Sequence, residues 1–323
     1  MGKSRAGNPE AGGHRFFIVD VFGQEKYSGN QLAVVLPAGK IDSGTMQRIA
    51  REFNFPETTF IIDRRARQGA YGVRIFTPFK EIPFAGHPCL GTAYVIRKLL
   101  AKRGADEIIL DLQAGRIPVR FPSDGSDLLW MTQLSPVFGK THDAKAFARV
   151  LGLKAKDFDA RFPIQQVSTG FEWLLVPLTN LSAVKRAAID MQAYRAYFAK
   201  SGSLPVFPFS PETYDPTNRI NSRSFAPDFG VPEDPATGSA NGCLAGYLAY
   251  HAYFGPGPVR VSVEQGYEMG RKSILHLDAE SAPVREKGKK GEKGHKREKS
   301  KQAAAISVRV GGKVFEVAEG RLV

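Results

Sequence analysis

Two dense apolar runs open the chain, FFIVDVF at 16–22 and QLAVVL at 31–36, with the turn-forming pair Gly29-Asn30 just ahead of the second. Runs dominated by apolar and β-branched residues and bounded by turn formers predict strands. At 45–53 the spacing changes: Met46, Ile49, Ala50 and Phe53 recur three and four apart, which predicts a helix. Strand patterns return at 58–62 and 72–76, and CLGTAYVIRKLL at 89–100 is apolar nearly all round, as a buried helix is. The runs 108–112 and 117–121 predict a hairpin across Gly115. Pro, Gly, Ser and Asp cluster without periodicity at 122–127, which predicts a domain boundary there. The second half repeats the mixture, with a strand at 173–178, helices at 144–151 and 191–198, and strands from Val259 onward.

An internal repeat organises these elements. Arg74-Ile75-Phe76-Thr77-Pro78 has the pattern R-x-F-x-P, and Arg223-Ser224-Phe225-Ala226-Pro227 repeats it 149 positions later. Each copy leads to a loop with a glycine and a polar residue, Gly86-His87 and Gly238-Ser239, and each loop runs into a helix-like segment rich in Ala, Leu and Tyr. A period of this length predicts a duplicated fold, with one domain at 14–127 and a second at 128–323, the final strand free to return to the first. The chain's 323 residues, about twice a usual domain, fit two cores.

The net charge of +13 is less general than its size suggests. Residues 285–301 hold nine Lys or Arg against three Glu, which leaves +7 for the other 306 positions. That run has almost no apolar surface to bury and reads as a solvated loop inserted between two strands, so a nucleic-acid partner is not expected. No apolar stretch approaches the roughly 20 residues of a membrane span, and residues 1–15 lack the apolar centre of a secretory signal, so a cytoplasmic protein with no membrane partner is expected. The two cysteines, Cys89 and Cys243, form no CxxC pair or zinc-spaced cluster, and GxxxxGK[ST], GxGxxG and HExxH are absent, so no metal is expected.

The glycine loops carry the first chemical suggestion. Glycine lets backbone approach a ligand, and a helix start presents unpaired N–H groups at a positive dipole end, so two such loops facing each other would cradle a carboxylate. Taken alone, each is equally a structural turn. Glu57 lies between Pro56 and two threonines with Phe55 and Phe60 close by, an apolar setting that raises a carboxyl pKa toward the range of a proton carrier. A surface carboxylate at a turn would look the same in sequence.

PETTF at 56–60, FTPFKEIPFAGHP at 76–88 and EDPATGSA at 233–240, together with DVF at 20–22, GNQLAVV at 29–35 and EQGYEMGR at 264–271, resemble the signature of the PhzF-like isomerases, relatives of the diaminopimelate epimerases. The likeness runs from about Phe16 to the C-terminus. It implies an α+β fold of two pseudo-symmetric domains, each a mixed sheet wrapped around a central helix, with the active site in the cleft between them. It further implies a homodimer and a cofactor-independent isomerase that moves a proton within a small carboxylate-bearing metabolite.

By that resemblance Glu57 is the general acid and base, and His87 and Asp234 hold and polarise the substrate. Gly86, Gly238 and Ser239 supply amides and a hydroxyl to its carboxylate, and Asn30 adds a polar contact. Gln166, Thr169 and Gly170 are further candidates for contact. In the wider superfamily's racemases two cysteines precede the loop glycines; here those places hold Ala85 and Thr237, neither of which is a thiolate base. The real cysteines read as small buried hydrophobes. Two alternatives stay open: an epimerase using Glu57 and Asp234 as two bases, and a binding protein without catalysis.

Overall fold

A computed structural model of the chain describes residues 13–281 and 306–323, apart from 103 and 124. The first apolar runs form β1 (His14–Val21) and β2 (Asn30–Leu36), antiparallel, with Phe17 opposite Val34 and Val19 opposite Leu32. Helix α1 (Ser43–Phe53) starts at Asp42, whose carboxylate accepts the Thr45 N–H at 3.0 Å, and stops at Asn54, left-handed at φ 52°. That reversal feeds the chain into β3 (Glu57–Ile61), parallel to β2, so Glu57 is a strand's first residue rather than a turn carboxylate. Next come β4 (Tyr71–Phe76), β5 (Glu81–Ile82), α2 (Gly86–Leu99), β6 (Glu107–Leu112), β7 (Gly115–Arg120) and β8 (Leu129–Gln133).

The second half contains β9 (Val137–His142), α3 (Ala144–Ala148), β10 (Ile164–Ser168), β11 (Glu172–Pro177), α4 (Leu181–Arg186), α5 (Met191–Phe198), β12 (Val206–Ser210), β13 (Ile220–Ser222) and α6 (Gly238–Tyr250). It closes with β14 (Val259–Gln265), β15 (Ser273–Ser281) and β16 (Ile306–Gly312), after which β17 (Val314–Leu322) returns to pair with β1. The charged run at 285–301 lies outside the described residues; the strands flanking it, β15 and β16, pair antiparallel with Ser281 opposite Ile306.

The duplication appears in the pairing. From β1 to β8 the neighbours β1–β2, β2–β3, β3–β4, β4–β6, β6–β7 and β7–β8 run antiparallel, parallel, antiparallel, parallel, antiparallel, antiparallel. The series β10–β11, β11–β12, β12–β13, β13–β14, β14–β15 and β15–β16 has the same six senses in the same order. Each series wraps one helix, α2 or α6, buried on nearly every side through its first three turns. Helices enclosed this way need apolar residues all round, which is why neither shows a polar stripe. One apolar core runs through both halves, from Phe17, Leu32 and Leu90 to Leu244, Leu275 and Val308. The arrangement is an α+β fold of the diaminopimelate epimerase-like kind.

The R-x-F-x-P repeat has a structural purpose. Arg74 forks onto Glu81 at 2.7 and 2.6 Å with its guanidinium over Phe76, and Arg223 forks onto Glu233 at 2.8 and 2.7 Å over Phe225. Glu81 and Glu233 each stand five residues before the loop glycine, within EIPFAG and EDPATG. Each arginine therefore pins the segment that delivers a glycine to its helix, the strand β5 in the first copy and a loop in the second.

Candidate active site

The starts of α2 and α6 meet at the centre of the molecule. A β-carbon built on Gly86 would lie 3.0 Å from the Gly238 Cα and the Ser239 N, and one on Gly238 would lie 3.2 Å from the Gly86 Cα. Only glycine allows two backbones this close. Both helices begin on residues whose side chains do not cap them, Ala85 and Thr237, so their first amides have no side-chain acceptor at the cap.

Around this contact the structure gathers Asn30, Glu57, His87 and Asp234. The Glu57 Oε2 and the His87 Nε2 are 3.2 Å apart without the alignment of a hydrogen bond, and both atoms are sealed from solvent. Asn30, fully buried, donates through Nδ2 to the Asp234 Oδ1 at 2.8 Å and the Ala236 carbonyl at 3.0 Å, with the His87 Nδ1 at 3.3 Å. Thr237 donates to the other Asp234 oxygen at 2.5 Å. Asp234 is thus held by two donors, while the Glu57 Oε2, His87 Nε2 and Asn30 Oδ1 are buried without partners. Buried polar atoms are nearly always paired, so three unpaired ones in a single cluster ask for a ligand.

The electrostatics follow from this placement. Burial, aided by the negative charge of Asp234, pushes the Glu57 carboxyl up to about 8. Burial also pushes Asp234 up to about 6, against the pull of Thr237 and Asn30. His87 is pushed down to about 3 by burial, so it is neutral. Two carboxyls with midpoints held apart, one accepting hydrogen bonds and one free, can divide roles between fixed acceptor and proton carrier.

The remaining expected residues stand at varying removes. Ser239, on the first turn of α6, accepts from the Trp173 indole N–H at 3.1 Å. Thr169 is buried and one link away: its hydroxyl donates to Gln133, which donates to the Gly238 carbonyl. Gln166 does not join the site, because its amide is committed to His142 and to the Lys140 N–H at the sheet edge. Gly170 sits in the β10–β11 turn at φ 120° beside Leu134. Cys89 and Cys243 are both buried, and burial pushes the Cys243 thiol up to about 12, which leaves it no thiolate near neutral pH.

Sequence reading missed Gln265, which joins the Asp234 loop to α6, and the signal was present in EQGYEMGR. A groove of about 790 Å³ at the other end of α2, lined by Tyr94, Arg97, Lys98, Phe121 and Lys313 among others, includes none of the cluster. Chemistry and unpaired polar atoms, rather than size, mark the site. Among the described residues no group of three or more His, Cys, Asp or Glu is placed to hold a metal, and no helix is long and apolar enough to cross a membrane.

Comparison with known proteins follows the geometry. The sequence pattern of the family described as phenazine biosynthesis-like protein matches residues 19–301. The trans-2,3-dihydro-3-hydroxyanthranilate isomerase of Pseudomonas aeruginosa is 33% identical over 281 residues, covering 84% of this chain and 92% of the relative. A PhzF-family phenazine biosynthesis protein from Bacillus anthracis superposes with a TM-score of 0.81 at 25% identity, covering 96% of this chain and 99% of its own. A probable proline racemase from Agrobacterium radiobacter superposes at 0.59 and 10% identity, over 96% of this chain and 93% of its own, a likeness of fold alone. The chain belongs to the phenazine biosynthesis-like (PhzF) protein family and is an isomerase.

Proposed function

We propose that the protein catalyses isomerisation by moving one proton between two carbons of a small carboxylate-bearing metabolite, with Glu57 as the single acid and base. The observation that carries this reading is the Glu57 Oε2, a buried carboxyl oxygen without a hydrogen-bond partner beside a neutral histidine. A carboxyl with a midpoint near 8 is basic enough to take a C–H proton activated by a neighbouring unsaturated or carboxyl group, and acidic enough to return it. The uncapped amides at the starts of α2 and α6 bind the substrate carboxylate, where the growing negative charge is best stabilised. Asp234, fixed by Asn30 and Thr237, orients a substrate amine or hydroxyl, and the unpartnered His87 nitrogen polarises it. The transfer draws on these side chains without a cofactor.

A two-base epimerisation with Asp234 as second base fits less well, because each Asp234 oxygen already accepts a hydrogen bond. From the named relative, the substrate class we assign is a cyclic, unsaturated amino acid like trans-2,3-dihydro-3-hydroxyanthranilate. The test is turnover of that compound by the protein and by Glu57→Gln, followed by NMR of the ring protons. The wild type should consume it and the variant should be slower by roughly 10²- to 10⁴-fold, the usual contribution of a positioned acid–base group. No turnover by the wild type removes the substrate class; turnover by the variant at the wild-type rate removes the mechanism.

A further inference from the structure

The segment EQGYEMGR takes no part in the chemistry above, yet it touches both sides of the Asn30–Asp234 contact. Gln265, fully buried, donates to the Asp234 carbonyl at 2.8 Å and the Thr237 hydroxyl at 2.9 Å, and accepts from the Thr237 N–H at 3.1 Å and the Asn241 amide at 3.0 Å. Gly266, at φ 75°, packs where a β-carbon would lie 2.5 Å from the Pro235 carbonyl oxygen. The chain then turns back on itself, with the Arg271 N–H reaching the Gly266 carbonyl at 3.0 Å.

Arg271 crosses to the other half. Its Nε donates to the Gly29 carbonyl at 2.9 Å, Nη1 to the Tyr27 carbonyl at 3.2 Å, and Nη2 to the Ser28 carbonyl at 3.1 Å and the Asp20 carboxylate at 2.7 Å. Asp20, 2% exposed, also accepts the Tyr27 N–H at 2.6 Å. Three consecutive carbonyls and one buried carboxylate are therefore held by one guanidinium, and the next residue in the chain is Asn30. A fixed five-donor fork can do this; an ammonium cannot.

We propose that Arg271 is a positioning residue: by gripping residues 27–29 from the same turn whose Gln265 grips the Asp234 loop, it sets the Asn30–Asp234 hydrogen bond and so the ionisation of Asp234. This deepens the proposed function and rests on it, because the contact matters through the acceptor role given to Asp234. The groups that face Asp234 are Asn30 and Thr237 at its carboxylate, Gln265 at its backbone carbonyl, the neutral His87, the Glu57 carboxyl, and Glu233, whose charge pushes Asp234 further up although it forks with Arg223. The turn's own Glu268 is engaged with Tyr214. Of these, Asn30 is the donor whose three preceding residues Arg271 grips, so loosening Arg271 weakens a bond that favours the Asp234 carboxylate.

The test is a carboxyl-carbon NMR titration of Asp234 in the full chain, which needs no substrate. Asn30→Ala should raise the Asp234 midpoint by about one pH unit, a tenfold fall in its acid constant. Arg271→Met should raise it by a similar amount, and the double variant no further, because both act on one bond. Arg271→Lys should follow Arg271→Met, and it serves alone if the methionine variant does not fold. An Asp234 midpoint unmoved in both Arg271 variants while Asn30→Ala moves it, or full additivity in the double variant, overturns the inference. Failure of the underlying reading shows elsewhere, as turnover by Glu57→Gln.

Discussion

At the scale of single residues, Glu57 faces two effects that act together. Burial penalises its charge, and the charge of Asp234 repels it, so the folded protein holds a proton there that an unfolded chain would release near 4.5. The sign is therefore fixed: Glu57 contributes stability that is fully present below about 4.5 and is lost as pH rises through about 8, by at most about 1.4 kcal/mol per pH unit. Glu57→Gln, always neutral, should match the wild type in denaturant unfolding near pH 4 and gain on it steadily up to pH 8. A constant difference across that range would mean the carboxyl titrates normally. Asp234→Asn removes the repelling charge, so the pH at which kcat/KM rises should move below its wild-type position near 8; a limb that stays in place would separate the two carboxyls. From sequence, the apolar neighbours of Glu57 made its raised pKa legible, but the share owed to Asp234, 177 positions away, was not.

At the scale of elements, the clustered candidate residues depend on two helix starts held in backbone contact. Gly86→Ala would push a methyl to 3.0 Å from the backbone at Gly238 and Ser239, where no flexible side chain can yield. We expect activity to fall roughly 10²-fold, as a displacement near 1 Å can cause, with a folded protein by circular dichroism; unchanged activity would show that the helices need not touch. Long periodic elements such as α1, β2, α2 and α6 were legible because their apolar spacing and turn residues agree. The strands at 129–133, 137–142, 164–168, 206–210 and 220–222 were not, because each is three to six residues long and their patterns mix polar residues or, in β12, carry Pro208. Buried on both faces or pinned by a neighbour's register, such strands are specified by partners distant in sequence.

At the scale of the whole molecule, the duplication sets where the two halves differ. EIPFAG and EDPATG share the glutamate that binds the repeat's arginine, but the acid at Asp234 is Ile82 in the other copy. Phe76 lies opposite Thr58 and Phe225 opposite Val206, so the place of Glu57 falls to Pro205 in the second half. Each half therefore contributes one acid, and neither holds both. The two arginine forks are not equal in weight. Arg223, 11% exposed, also donates to the Ala187 carbonyl at 2.6 Å, whereas Arg74 is 30% exposed. Arg223→Met should cost about 3–5 kcal/mol and Arg74→Met about 1 kcal/mol in urea unfolding; equal costs would contradict the difference in burial.

The most direct measurement follows an isotope through one turnover. Substrate of the trans-2,3-dihydro-3-hydroxyanthranilate type, deuterated at the carbon that loses its proton, is converted in ordinary water and the product is read by deuterium NMR. A single carboxyl carrying the proton predicts product with deuterium on a different carbon of the same molecule, formed by Glu57→Gln roughly 10²- to 10⁴-fold more slowly. Complete loss of the label to solvent together with inversion at the original carbon, or undiminished conversion by Glu57→Gln, would contradict it.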